Sequence, residues 1–181
     1  KGETPRGRKP QFLYIDSRKR CVIAVDVRPT RTSYMVTDLL TEPVIGVSAF
    51  PTQSDPGRFI KTLAGRLKRL LDDHKDLGQC EGIGRVVPGI YNPATGTAWA
   101  PNLWGRDEVP LRDALGPHLP VPLVADSDRA GCVLGEAWQG AARGCRDVVF
   151  LAVGTGIGAG ILSDGRLVRG HDGIAGAVGW F

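Results

Sequence analysis

Hydrophobic and polar residues alternate in three short runs near the start of the chain, Phe12 to Asp16, Cys21 to Val27 and Thr32 to Asp38. A period of two marks strands with one buried face, and Val, Ile and Tyr suit them, so these runs predict a β meander with charged turns. Val44 to Phe50 predicts a fourth strand. The period then lengthens. Asp55-Pro56 offers an N-cap with proline at the first helical position, and Phe59, Ile60, Leu63, Leu67, Leu70 and Leu71 recur at helical spacing. That is a core-facing helix, and its Lys61, Arg66, Lys68 and Arg69 read as a solvated face rather than a nucleic-acid contact.

Further on, Gly84 to Val87 predicts a strand ending at Pro88-Gly89, and Asn92-Pro93-Ala94-Thr95-Gly96 is turn chemistry. Leu111 to Leu115 predicts a short helix and Val121 to Val124 a buried strand. The segment Arg129 to Ala142 predicts a helix burying Cys132, Val133, Ala137 and Trp138. Val148 to Val153 is another strand, and Ile157 to Leu162, Asp164-Gly165 and Leu167-Val168 read as a hairpin. Strands alternating with helices place the chain in the α/β class.

Two glycine-spaced segments stand near the end, GTGIGAG at Gly154 to Gly160 and GHDGIAGAVGW at Gly170 to Trp180. Directly after an apolar strand, such spacing lets the backbone turn tightly and bring N–H groups against a phosphate or sugar. Gly154, Thr155, Gly156 and Gly158 are therefore candidate phosphate ligands. The acidic turn Asp126-Ser127-Asp128 has two readings, a helix N-cap and a ligand contact, which can coexist in three polar side chains.

Taken in order, Val86-Val87-Pro88-Gly89, Asn92-Pro93 to Gly96, Pro101-Asn102-Leu103, Pro120 to Val124, Asp126-Ser127-Asp128, Gly135-Glu136-Ala137-Trp138, GTGIGAG and GIAG resemble the ROK family. That family groups bacterial sugar kinases with sugar-responsive transcriptional repressors. The resemblance runs from about Gly7 to the end. It implies an actin-like ATPase (ribonuclease H-like) fold, with a basic linker at 1–10, a first α/β domain at 11–121 and the start of an incomplete second one at 122–181. It also implies that Asp128 stands at the position of the catalytic base, with Gly89, Asn102, Ser127, Asp128 and His171 around a sugar. Asn102 keeps a second reading, a loop residue bonding its own backbone. The family's zinc cluster and adenosine-binding half would lie beyond Phe181, and a homodimer or homotetramer is implied.

Three departures from the family pattern bear on function. The kinases' Asp-x-Gly-Gly-Thr loop reads here Asp26-Val27-Arg28-Pro29-Thr30. Proline offers no N–H to an anion, and Arg28 brings a side chain where room was needed, although a guanidinium can itself hold a phosphate. The Glu-x-Gly-His ending, which supplies a sugar-binding Glu and a His beside the sugar and zinc, reads Ala177-Val178-Gly179-Trp180. The Asn-Asp pair before the central helix reads Ser127-Asp128, so the carboxylate that can take a hydroxyl proton remains.

The start of the chain points the same way. Arg6-Gly7-Arg8-Lys9-Pro10 followed by Phe12-Leu13-Tyr14 resembles the junction where a winged helix-turn-helix hands over to the sugar domain in ROK repressors, the other reading being a disordered tail. The expectation is a sugar- or sugar-phosphate-sensing domain of a ROK-type regulator without kinase activity, bound to DNA through a domain outside these residues. The alternative is a sugar kinase using ATP and Mg. A third reading is a scaffold whose Trp180 fills the former sugar pocket.

Composition narrows little further. Of 181 residues 42% are hydrophobic and 23% charged, which is ordinary for a globular chain. A net charge of +4 with a pI near 9.0 is a mild average rather than a concentrated patch. No apolar run approaches the roughly 20 residues of a membrane span, and the basic start is no signal peptide, so a cytoplasmic location is expected. Cys21, Cys80, Cys132 and Cys145 have no Cys-x-x-Cys spacing and so indicate neither a zinc knuckle nor a redox pair, and His74, His118 and His171 are unclustered, His171 alone lying in a segment expected to line a cleft.

Overall fold

The computed structural model describes residues 16–74, 77–154 and 156–180. Among these residues the first sheet has five strands: β1 (Arg20–Val27), β2 (Arg31–Asp38), β3 (Pro43–Pro51), β4 (Gln79–Val87) and, after two short strands outside it, β7 (Leu123–Ser127), in the order β3-β2-β1-β4-β7. The meander β1-β2-β3 is antiparallel, while β4 and β7 add in parallel. The run Phe12 to Asp16 lies outside the described residues except for Asp16.

Helix α1 (Pro56–Asp73) forms where the caps predict it, with the Asp55 carboxylate accepting from the Arg58 N–H at 2.7 Å. It buries Phe59, Leu63 and Leu67 against Ile23, Val25, Val27 and Val36 of the sheet, and Phe59 meets Trp104 at a ring separation of 5.2 Å. The half-buried Ile60, Leu70 and Leu71 pack against this core. Between β4 and β7 come the hairpin β5 (Ile90–Asn92) and β6 (Thr97–Trp99), then the short helices α2 (Pro101–Trp104) and α3 (Leu111–Leu115).

The strand near Val121 to Val124 belongs to this first sheet and does not open a second one. Its register with β4 is set by a series from Ile83 opposite Leu123 to Val87 opposite Ser127. The physical reason is the connection through α2 and α3, which returns the chain to the β4 edge and allows a parallel partner there.

Helix α4 (Asp128–Gln139) follows at once and ends three residues before Ala142, where the sequence suggests its end, because Gly140 stops it. A second, antiparallel sheet is built from β8 (Val148–Val153), β9 (Ile157–Ser163) and β10 (Arg166–Leu167), in the order β10-β9-β8. Asp164 and Gly165 take positive φ in its hairpin, as their identities predict. The glycines of α4 and β9 explain how these layers meet. A Cβ on Gly131 would overlap Val86 of β4, and one on Gly160 would overlap the Arg129 carbonyl oxygen and Val133, so α4 lies tight against both sheets. The opposite face of β8 presents Val149, Leu151 and Val153 to solvent. Trp138, expected on the buried face of α4, is exposed because that face is taken up by Ala130 and Val133.

Candidate functional site

The start of α4 is the centre of the site, because chain direction brings β7 and the helix N-terminus to the ends of β1 and β4. Ser127 is the N-cap: it is buried, and its Oγ accepts from the Ala130 N–H at 3.2 Å. Asp128, one residue later, accepts the Arg129 N–H through Oδ1 at 2.9 Å, its single hydrogen bond among the described residues. The two readings of the acidic turn therefore divide between neighbours. Ser127 Oγ serves the cap as an acceptor and keeps its O–H to donate, and the Asp128 carboxyl keeps acceptor capacity. Asp126 is committed elsewhere, to the Ser127 N–H at 2.9 Å and to Arg169 Nη2 at 2.5 Å.

Burial pushes the Asp128 carboxyl above the ordinary carboxylate value, while the Arg129 N–H and the charges of Arg129 and Arg28 pull the other way and Asp26 adds to the rise. Asp128, Arg28 and Asp26 thus share one electrostatic neighbourhood. Cys132, one turn along α4, joins it, with its thiol also raised mainly by burial and then by Asp128.

The β1–β2 turn closes over this neighbourhood. Arg28 Nε donates to Asp26 Oδ2 at 2.8 Å, and the Arg28 N–H donates to the Arg31 carbonyl at 3.1 Å. Thr52 fixes the turn from β3, its hydroxyl donating to the Arg28 carbonyl at 2.7 Å. The Asp26 Oδ1 atom is buried without a partner among the described residues. In this turn Pro29 offers no N–H to an anion, the Arg28 N–H is already used, and Arg28 Nε is held by Asp26.

Gly89 sits in the β4–β5 turn at φ 84°, where a Cβ would overlap the Trp99 carbonyl oxygen. Its own carbonyl accepts from Arg129 Nη2 at 2.8 Å. Gly89 thereby touches both the α4 start and the strand leading into α2, which carries Asn102. The Asn102 side chain is exposed and makes no hydrogen bond among the described residues, so it is not bonding its own backbone.

The second glycine segment folds back as a bridge between the sheets. Gly173 lies against the Tyr91 carbonyl of β5, and Gly176 and Gly179 lie against the Ala159 and Ile157 carbonyls of β9. The Ala159 N–H donates to the Gly176 carbonyl at 2.7 Å. His171 is exposed with Nε2 at 3.2 Å from Asp172 Oδ2, and Asp172 Oδ1 accepts from Asn92 Nδ2 at 3.1 Å.

The first glycine segment divides in two. Gly154 and Gly156 lie in the open β8–β9 turn, the Gly154 N–H donating to the Gly156 carbonyl at 2.9 Å, and Thr155 falls outside the described residues. Gly158 is inside β9 and buried, its missing side chain replaced by the Arg129 stem. Sequence reading passed over Arg129, Asn92 and Asp26 as members of this site. The signal was present for Asp26, which survives in the altered loop, and absent for Arg129, whose role depends on the fold.

The family model described as "ROK family" matches residues 22–181. A glucokinase of Halalkalibacterium halodurans is 35% identical over 164 residues, covering 88% of this chain and 49% of the relative. A xylose repressor of Caldicellulosiruptor bescii is 30% identical over 181 residues, covering 98% of this chain and 45% of the relative. The crystal structure of a ROK hexokinase from Thermus thermophilus superposes with a TM-score of 0.75 at 28% identity, over 88% of this chain and 52% of that one. The chain spans about half the length of the curated relatives it matches. Among the described residues no helix is long and apolar enough to cross a membrane. The fold is the actin-like ATPase fold of the ROK kinases, and this chain belongs to the ROK family.

Proposed function

We propose that the chain is the sugar- or sugar-phosphate-sensing part of a ROK-type transcriptional regulator and carries no kinase activity. The observation that carries this reading is the Arg28–Asp26 pair in the β1–β2 turn. It puts a tethered cation and a proline where phosphates would need free N–H groups, while Asp128 beside it keeps acceptor capacity for a sugar hydroxyl. In this reading Gly89 and Asn102 supply further polar contacts to the sugar. Coverage of 98% of the chain by a xylose repressor supports the reading as well, since that match takes in the basic stretch before β1.

The sensing step follows from differential affinity. A ligand held between the α4 start and the glycine bridge of 170–180 favours the closed arrangement of the two sheets only as far as it binds that arrangement better than the open one. The DNA-binding domain would be supplied by sequence outside these residues, and the protein would act in the cytoplasm as a homodimer or homotetramer.

A kinase remains the second reading, favoured by Asp128 at the start of α4 and by the 35% identical glucokinase. Calorimetry on the full-length protein with a panel of sugars and sugar phosphates tests the sensing role. Binding by the wild type that is lost in Asp128→Ala supports it. No heat with any member of the panel overturns it.

A further inference from the structure

At the end of the first sheet remote from the Asp128 site, two cysteines stand directly opposite each other. Cys21 of β1 and Cys80 of β4 are register partners in the parallel pair, and the pairing slips by one residue immediately after them, leaving Glu81 as a bulge. Side chains of register partners in parallel strands leave the sheet on the same face. Both cysteines line one cavity of about 610 Å³, together with Leu70, Leu71 and Val121. Adjacent strands lie about 4.8 Å apart, inside the roughly 4.4–6.8 Å that a disulfide spans between Cα atoms. The pair is reduced here, with Cys21 buried and Cys80 partly exposed.

We propose that Cys21 and Cys80 form a dithiol modification site that closes to a disulfide on reaction with a low-molecular-weight disulfide such as glutathione disulfide. The order of attack follows from exposure. The Cys80 thiolate attacks one sulfur of glutathione disulfide, the S–S bond breaks, and the first glutathione leaves as a thiolate that takes up a proton. Cys21 then loses its proton, attacks the Cys80 sulfur of the mixed disulfide and releases the second glutathione. Two thiol hydrogens leave the protein and two glutathione thiols form. Burial first, and then the neighbouring Cys80, push the Cys21 thiol up to about 11, and because burial persists in the mixed disulfide the second step is the slower one.

The bond would join the start of β1 to β4 and close one wall of the cavity. The site is independent of the sensing reading, because none of its residues touches the Asp128 cluster.

The test is incubation of the native full chain with glutathione disulfide, followed by digestion without reductant and mass spectrometry. Exposed Cys145 serves as a control for reagent access and takes a glutathione adduct. The expected product is a Cys21 peptide linked to a Cys80 peptide with the loss of two hydrogens, reversed by dithiothreitol. In Cys21→Ser the adduct stays on Cys80. Wild-type protein in which Cys145 is modified while Cys80 keeps a stable adduct, or stays free, overturns the proposal without recourse to any variant.

Discussion

Arg129 donates from Nη2 to the Gly89 carbonyl oxygen at 2.8 Å, and this one bond ties the first turn of α4 to the β4–β5 turn. The same side chain fills the space that a Cβ on Gly158 would take, while the Arg129 carbonyl occupies the space beside Gly160. The strand of the glycine-rich motif is thus shaped by the helix it packs on. Its glycines serve close approach as much as any ligand.

That geometry separates two otherwise similar substitutions. Gly160→Ala meets a backbone oxygen and a β-branched side chain, neither of which can yield cheaply, and is expected to lose about 1–3 kcal/mol in a denaturant titration. Gly158→Ala meets the flexible stem of Arg129 and is expected to cost less, at the expense of the bond to Gly89. Equal losses would contradict this account of the α4–β9 contact.

Asp128 gives a pH signature. Its folded-state value is raised, so folding takes up protons, and the stability it contributes is present below the ordinary carboxylate value and lost as pH rises through the folded one. Asp128→Asn mimics the neutral form. Its melting temperature is expected to exceed that of the wild type at pH 7, with the gap closing as the pH falls below the carboxylate range. A variant that melts no higher than the wild type at pH 7 would contradict the dominance of burial over the nearby arginines.

Arg85 is a conflict written into the first sheet. It stands on the inward face of β4 between Ile83 and Val87, is 2% exposed, and has all three guanidinium nitrogens without a partner among the described residues. Burial pulls its pKa down to about 10, against Tyr91, which acts in the other direction. Arg85→Met keeps the length and removes the buried charge, and is expected to stabilise the chain by at least about 1 kcal/mol. A thermal melt showing loss of stability would point to a partner for Arg85 beyond the described residues.

The regular parts of this fold are legible in the sequence because local chemistry decides them. Asp55-Pro56 caps α1, the alternation in Cys21 to Val27 gives β1, and Asp164-Gly165 turns the β9–β10 hairpin, all from neighbours in the chain. Long-range decisions were not legible. Nothing local to Val121 to Val124 says that this strand adds to β4, and nothing local to Gly158 says that Arg129 will lie on it. The altered loop was visible from Arg28 and Pro29, whereas the folding of Arg28 back on Asp26 needed the contacts with Arg31 and Thr52 that hold the turn.

The most direct test of the central claim is ATP-dependent sugar phosphorylation by the full-length protein, read as ADP release across the sugar panel. The Arg28–Asp26 turn predicts no ADP above background, even with a sugar that calorimetry shows to bind. Steady ADP release that disappears in Asp128→Asn would contradict the account and make the chain part of a kinase.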